Sequence, residues 1–514
     1  MSDSIVSSSV PALPQSLSSR TAIWAVAVVL VLSCLGFHMF APLGPDVSWL
    51  LTVSERMLDG QALYVDIMEP NPPMAGLLYI LPVGLARLLA IPAEPLVVLF
   101  TTAFGLATTM LAARVIKVTG LAARVDLFVL LSILLAVVAW GEDFAQREHF
   151  ATMAAAPVIV AIAARAAGHR LQLALWLPIG LAGGLLLAIK PHFALAMLLP
   201  LIYAIWKRRS AAPLLSAELW IAGLAILGFL AMTWVWFPGF FSTVLPAANA
   251  VYVPDRRSLP VLLLGIPSAM VFEVTLLVAL IVFRKSILAR PLHATLFLAS
   301  VGFALVYVAQ GKGFPYHIAP AQVMLSLALV GALIERGDAA RSRSDMLIAL
   351  AAASVLAVLP MVNAVKVRQI WEGEAAVLRP YGEGLRIANL TTDLAATSPL
   401  HRMVRGELVN SAPSLLMTLS ALRVRQALEV GATWSAAISA VERAERDRLK
   451  EDFLLRRPDV LVVSDYSLAW LNWAKRDPDL SPLIEGYRDI GEVEFVGGPV
   501  RMLIRAGLEA SPAN

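Results

Sequence analysis

The stretch TAIWAVAVVLVLSCLGFHMFAPLGPDV, residues 21–47, decides how the chain is read. From Thr21 to Ala41 it is an apolar run close to the length that crosses a bilayer, roughly 20 residues. Little positive charge precedes it, and it is longer than the apolar part of a secretory signal, so it reads as a retained membrane span. Just beyond it, Pro45 and Asp46 set a carboxylate at a membrane surface. The same arrangement recurs along the chain. Long apolar segments are separated by short loops of two alternating kinds, one basic, the other holding compact polar clusters.

The bulk composition agrees. Of 514 residues, 59% are apolar and 15% charged, with a mean hydropathy of +0.75. Soluble domains carry roughly 25% charged residues, so most of this chain is expected in lipid. The net charge of +4 comes from basic loops and does not point to nucleic acid. Cys34 is the single cysteine and lies inside the first apolar run, which excludes a disulfide framework and a cysteine metal site. Residues 1–20 are Ser-rich and without periodicity, and read as a disordered cytoplasmic tail.

Spans are expected near residues 21–43, 95–113, 125–140, 150–167, 173–189, 193–206, 218–237, 260–283, 291–309, 317–335 and 345–363. Lys and Arg mark cytoplasmic loops. Here these are Arg114, Lys117 and Arg124; Arg165 and Arg170; Lys207–Arg209; Arg284, Lys285 and Arg290; and Arg336, Arg341 and Arg343. They alternate only if 74–91, interrupted by Pro82, Arg87 and Pro92, lies at the interface and does not cross. The result is an α-helical polytopic membrane protein of about eleven transmembrane helices over 21–363. Its N-terminus is cytoplasmic and its first external loop, 44–94, is long. Within that loop Val47–Leu58 is amphipathic, with Trp49, Leu50, Val53, Met57 and Leu58 expected toward the membrane. From 364 to 514 charges return, and the chain reads as a small extracytoplasmic soluble α/β domain. There, 457–464 reads as a buried strand, 438–455 as a charged helix, and 492–496 with 499–505 as a hairpin across Gly497 and Gly498.

All the chemically capable groups fall in the non-basic loops. Asp46 admits two readings, a general base at the membrane surface or the N-cap of the following helix. Tyr64, Asp66, Glu69 and Asn71 precede Pro72 and Pro73, which start a helix or end an extended segment. Glu142, Asp143, Gln146, Arg147, Glu148 and His149 crowd one loop, where carboxylates can orient a sugar, hold a divalent cation or simply pair with neighbouring charges. Lys190 and His192 flank a proline, and Lys312 lies in Gln310–His317 with Tyr316. Both lysines run against the positive-inside bias, as do Arg256 and Arg257. Cations gathered on an outer membrane face suit a phosphate headgroup. A lysine at a span end that simply snorkels is the plain alternative.

The order of these clusters resembles the GT-C superfamily of membrane glycosyltransferases, and within it the protein mannosyltransferase and aminoarabinose transferase-like group. Asp46 stands where that group has an early aspartate. Gly60-Gln-Ala-Leu-Tyr64-Val-Asp66 matches its G-x-x-x-Y-x-D element, Asn71-Pro72-Pro73 its [HKN]-P-P element, and Gln146–His149 a second polar element. The likeness is close over about residues 20–200 and looser beyond. It departs in the second loop, where relatives carry R-x-x-x-x-D and Glu142, Asp143 or Glu148 must stand in for the acid. The resemblance implies an inner-membrane enzyme with its site facing the periplasm. Such an enzyme transfers a monosaccharide from a polyprenyl-phosphate donor to an envelope glycolipid, polysaccharide or protein in one inverting displacement. Asp46 would be the base, and Lys190, Lys312, Arg147, Arg256 and Arg257, in that order, the cations for the leaving phosphate. A flippase of a lipid-linked saccharide, an O-antigen ligase or polymerase, and a binding scaffold are the competing readings. Against the flippase stand the absence of a repeat and the placing of charges at span ends.

Overall fold

The structure, a computed structural model, describes residues 15–334, 341–427, 432–464, 468–493 and 498–510. Helices fill every apolar segment of the sequence. In order they are α1 (Gln15–Met39), α2 (Pro45–Leu58), α3 (Met74–Leu89), α4 (Ala93–Thr119), α5 (Val125–Ser132, continued as a π-helix to Val138), α6 (Arg147–Ala166), α7 (Leu173–Ile189), α8 (Ala194–Arg208) and α9 (Ala217–Trp236). Next come α10 (Leu245–Ala247), a turn between two π-helical segments, then α11 (Leu259–Leu264), α12 (Pro267–Val278), α13 (Arg284–Ala289), α14 (Pro291–Gln310), α15 (Pro315–Ile334) and α16 (Arg341–Leu378). Among the described residues, six helices are long and apolar enough to cross a membrane: Arg20–Met39, α4, α6, α9, α14 and α15. The chain is therefore an integral membrane protein by the composition of its helices. The helical start at Gln15 takes 15–20 out of the expected disordered tail, of which 1–14 lie outside the described residues.

Small residues set how close the helices come. A Cβ built on Gly302 of α14 would stand 2.4 Å from the Leu195 carbonyl oxygen of α8. One on Gly184 of α7 would stand 2.4 Å from the Ala225 Cβ of α9. Backbones that approach this closely gain dispersion contacts, which substitute for the hydrophobic drive that lipid does not supply. α6 is buried on nearly all sides and forms the centre of the bundle, whereas α9 turns Trp220, Leu224, Leu227 and Trp234 outward.

The last helix crosses the boundary expected near residue 364. α16 continues without a break past it, and its final turns bury Ala375 and Leu378 in the core of the C-terminal domain. That domain is a five-stranded sheet of order β2-β1-β3-β5-β4, with β1 Arg386–Asn389, β2 Glu407–Leu408, β3 Val460–Ser464, β4 Arg488–Val493 and β5 Val500–Ile504. β1 runs parallel to both β2 and β3, and β5 pairs antiparallel with β3 and β4. β3 is buried on both faces, which explains its unbroken apolar run. The expected α/β domain is present. The hairpin's first strand sits a few residues earlier than read, and its turn residue Gly497 lies outside the described residues. After the one-turn α17 (Leu400–Met403), α19 (Ala432–Arg456) packs on the sheet through Leu449 and Phe453, and α18 (Leu416–Ala427) packs between α19 and Val251 of the membrane domain.

α2 departs from expectation. Trp49, Leu50 and Val53 face protein and not lipid, and the whole stretch from Val47 to Ser54 is buried. The C-terminal domain covers this helix: Arg56 donates to the Asn410 carbonyl at 2.8 Å and to that of Leu408, and Leu408 packs into the membrane-domain core. An amphipathic period marks a helix with one polar face but does not say whether lipid or protein covers the apolar one.

Candidate active site

Asp46 is positioned by a tight loop. Gly44 is the N-cap of α2 and Pro45 occupies the first helical position, so Asp46 lies inside the first turn and makes no capping bond. A Cβ on Gly44 would stand 2.3 Å from the Glu142 carbonyl oxygen, so the two loops touch through backbone alone. This contact brings Asp46 to the start of α6. Gln146 Nε2 donates to Asp46 Oδ2 at 2.9 Å, and Arg147 Nη2 lies 4.0 Å from the same oxygen. The capping reading of Asp46 is thus excluded, and its carboxylate remains partly open.

Beside it lies a buried charged cluster drawn from four separate helix ends. Glu148, in the first turn of α6, is fully buried and pairs with Lys190, the residue after α7, at 2.5 Å. Lys190 also donates to Gln310 Oε1 at the end of α14 (2.8 Å), and His317 Nε2 in the first turn of α15 lies 3.5 Å from both partners. Burial pulls the Lys190 ammonium down from its ordinary range while Glu148 opposes that pull. Tyr316 and Tyr252 are near enough to Asp46, Arg147 and Glu148 to sense their charges, and burial pushes the Tyr252 phenol up to about 12.

The cluster is not saturated. Nε and Nη1 of Arg147, Oε2 of Glu148, Oε1 of Gln146, Nε2 of Gln310 and Nδ1 of His317 are all buried without a hydrogen-bond partner. Leaving such atoms unpaired costs about 1–3 kcal/mol each, more for charged groups, so this set is placed to exchange hydrogen bonds with water or a bound molecule. Asp143 adjoins it. Burial and the charges of Glu142, Glu148 and Asp46 hold its carboxyl well above the ordinary carboxylate range. Glu142, raised by burial, accepts from Asn363 of α16 at 2.8 Å. Among the described residues no group of three or more His, Cys, Asp or Glu side chains is placed to hold a metal ion.

Other expected site residues are occupied elsewhere. Both ring nitrogens of His149 are used: Nδ1 accepts from Ala145 N (3.1 Å), and Nε2 donates to the Ala136 carbonyl (2.9 Å). The ring stacks on Trp140 at 4.5 Å, so His149 anchors a loop. Asp66 accepts from Ala62 N at 2.7 Å and closes a turn. Tyr64, at φ +70°, donates to the Asn71 carbonyl at 2.6 Å. Glu69 is buried, raised by that burial, and accepts from Trp49 Nε1 (2.6 Å) and from Asn71. Together they brace the long loop behind Arg147. Lys190 and Lys312, expected first among the cations for the leaving phosphate, both have partners within the protein. Lys190 already has Glu148. Lys312 donates to the Tyr252 and Asp255 carbonyls and stands over the Tyr252 ring at 3.7 Å. Burial lowers it to about 8. Arg256, Arg257 and His192 are exposed, and Arg257 clamps the Lys312 carbonyl at 3.0 Å. Sequence reading missed Tyr252 and Asn363, which no motif marks.

No protein-family model and no curated protein sequence matches the chain. Solved structures do. ArnT from Cupriavidus metallidurans, bound to undecaprenyl phosphate and in the apo state, superposes at a TM-score of 0.56 with 14% identity. The match covers 97% of this chain and all of that one. An oligosaccharyltransferase from Archaeoglobus fulgidus superposes more loosely, at 0.44 with 11% identity over 97% of this chain and 76% of that one. The chain therefore shares its fold with ArnT along nearly its whole length.

Proposed function

We propose that this chain is a glycosyltransferase of the membrane surface, which moves a monosaccharide from a polyprenyl-phosphate donor to a cell-envelope acceptor on the extracytoplasmic side. The observation that carries the reading is a base beside an unsatisfied buried cation: Asp46 partly open, Arg147 Nη2 4.0 Å away, and two further Arg147 nitrogens without partners. In the reaction an acceptor hydroxyl gives its proton to Asp46 as its oxygen bonds the anomeric carbon. The bond from that carbon to the phosphate oxygen breaks with inversion, and the electron pair leaves on polyprenyl phosphate. Arg147 receives the leaving charge through its open N–H groups, with Lys190 held behind it by Glu148. ArnT, whose fold the chain shares, was solved with undecaprenyl phosphate bound, which supports a donor of that class. The polar groups sit at the ends of α2, α6, α7, α14 and α15, not in mid-helix, which favours surface chemistry over a transport pathway through the bilayer.

The deciding experiment is transfer by the purified protein from a panel of polyprenyl-phosphate sugars, with the product identified. No transfer from any of them would refute an enzyme of this kind. Sidedness has its own test. With buried Cys34 as the only native thiol, cysteines at Ser258 and Ala506 should react with an impermeant reagent in intact cells, and one at Ser210 should not. The reverse pattern would turn the molecule over.

A further inference from the structure

The buried charged cluster draws two of its members, Gln310 and His317, from the two ends of one short loop. Gln310 Oε1, at the end of α14, accepts from Lys190 at 2.8 Å, and His317, in the first turn of α15, lies 3.5 Å from Lys190 and from Glu148. Glu148 in turn follows Arg147 directly on α6. The loop itself, Gly311-Lys312-Gly313-Phe314, is poorly made to hold a position alone. Gly311 and Gly313 both take left-handed backbone, at φ +68° and +72°. Glycine gives up more conformational freedom on being fixed than any other residue. What the loop is bonded to therefore sets where Gln310 and His317 stand.

It is bonded to the external segment 248–257. Arg257 donates from its backbone N to the Gly311 carbonyl at 2.8 Å and from Nε to the Lys312 carbonyl at 3.0 Å. Lys312 returns its ammonium to the Asp255 carbonyl at 2.5 Å and to that of Tyr252. The fit leaves no room for side chains in the loop. A Cβ on Gly311 would stand 2.9 Å from Arg256 Cγ, and one on Gly313 2.8 Å from Arg257 Cδ. On its other side the same segment meets the C-terminal domain. Ser420 Oγ of α18 donates to Asp255 Oδ2 at 2.9 Å, and Arg423 Nη1 lies 3.6 Å from the same oxygen. Val251 is buried among Ala421 and Val424 of α18 and Ile438 of α19. Asp255 thus holds two neighbours at once, the C-terminal domain by its carboxylate and the glycine loop by its carbonyl.

We infer that Asp255 is a positioning residue for the donor phosphate: it ties the C-terminal domain to the glycine loop and so sets Gln310 and His317 against the Glu148–Lys190 pair beside Arg147. Asp255 itself touches no substrate. Each step from α18 to α6 is a hydrogen bond, an ion pair or the chain itself. Losing the Lys312 ammonium alone leaves both Arg257 bonds in place, whereas losing the Asp255 carboxylate cuts the polar joint between the segment and α18. The inference rests on the phosphate-binding role of Arg147 proposed above and gives the C-terminal domain a part in it.

The test measures undecaprenyl phosphate affinity of the full chain in lipid nanodiscs, apart from transfer. Asp255→Ala removes the carboxylate and keeps the carbonyl that holds Lys312. It should raise the Kd about fivefold or more, the scale on which contact networks couple distant sites. Ser420→Ala combined with Arg423→Ala, made on the other domain, should give a similar loss. Adding Asp255→Ala to that pair should bring little more, because all three substitutions cut one joint. Asp255→Asn keeps an oxygen for Ser420 and should lose less than Asp255→Ala. In transfer assays the donor KM should rise with the Kd, while the concentration of envelope extract that gives half-maximal transfer stays unchanged. Unaltered affinity in Asp255→Ala and in the Ser420→Ala, Arg423→Ala pair overturns the proposal, and a lower melting temperature in the same variants would make the joint a structural support only. Losses that add in full also overturn it, since they would come from separate effects. If the unsubstituted protein binds undecaprenyl phosphate but moves no sugar, the transfer reading fails, and the affinities alone still decide the role of Asp255. No binding by the unsubstituted protein overturns both.

Discussion

Two buried ionic clusters in this molecule look alike by composition and differ in completeness. At the seam between α2, α4 and the C-terminal domain, each guanidinium nitrogen of Arg402 has a carboxylate: Nε meets Glu94 at 2.5 Å, and Nη1 and Nη2 meet Glu55 at 2.9 Å each. His401 beside it donates to the Thr397 carbonyl at 2.8 Å and has the Thr52 hydroxyl at 2.9 Å. At the other cluster Arg147 is more deeply buried, yet two of its nitrogens have no hydrogen-bond partner, and Glu148, Gln310 and His317 each keep an open atom. Burial and charge therefore do not distinguish glue from site. The distinguishing quantity is what remains unpaired, because desolvated polar atoms are tolerated where a ligand satisfies them.

This contrast sets the expected effects of substitution. The largest is Asp46→Asn, which should lower transfer by about 10²–10⁴-fold, the usual loss for a general base. Its melting temperature should stay near that of the unsubstituted protein, since no cap is lost; near-normal turnover would remove Asp46 from the chemistry. At the seam, Arg402→Ala strands Glu55 and Glu94 and should cost about 3–5 kcal/mol of stability. That loss should appear in denaturant unfolding and in easier proteolysis of the C-terminal domain, and a shift below about 1 kcal/mol would mean that the seam is wet.

Arg147→Lys keeps the charge and loses the fork. It should weaken undecaprenyl phosphate binding by about 1.5–3 kcal/mol, roughly 10- to 150-fold, with little loss of stability. Equal losses of stability at Arg147 and Arg402 would erase the distinction between the two clusters.

The seam should also respond to acid. Burial, with Arg402 nearby, lowers His401 to about 3, while an unfolded histidine titrates near 6.5. Between those values the unfolded chain binds more protons, so stability is present in full above pH ~6.5 and declines as pH falls toward 3. The loss should reach about 2 kcal/mol at pH ~5. His401→Gln should flatten the dependence of melting temperature on pH across that window, and an unaltered slope would assign it to other groups. Smallest is Lys312→Met. Its ammonium is already held by carbonyls of its own loop, so undecaprenyl phosphate affinity should change less than about threefold and stability by about 1 kcal/mol.

Much of the site's location was legible before its contacts were. Asp46, Arg147, Glu148, Lys190, Gln310 and His317 stand out in sequence because each interrupts or ends an apolar run in a loop of the non-basic kind, and one membrane face collects all such loops. Their roles were not legible. The acid that pairs with Lys190 is Glu148, 42 positions away, and the two meet only because α6 and α7 pack side by side. His149 and Glu148 are neighbours in sequence, yet successive positions point to different faces of α6, so one reaches the cluster while the other is enclosed by Trp140 and Phe144. The strands β1 and β2 are too short to carry an alternating pattern.

What the sequence determined by itself is what depends on chain-local energetics. Apolar runs must become helices in lipid because no water is there to satisfy a bare backbone, and prolines and glycines must end or bend them. Polar clusters must then collect at the ends. The tertiary structure alone decided which polar atoms were paired off and which were left open, because that depends on distances between residues tens to hundreds of positions apart. Asp46 and Gln146 are 100 positions apart, and Arg402 and Glu55 are separated by 347.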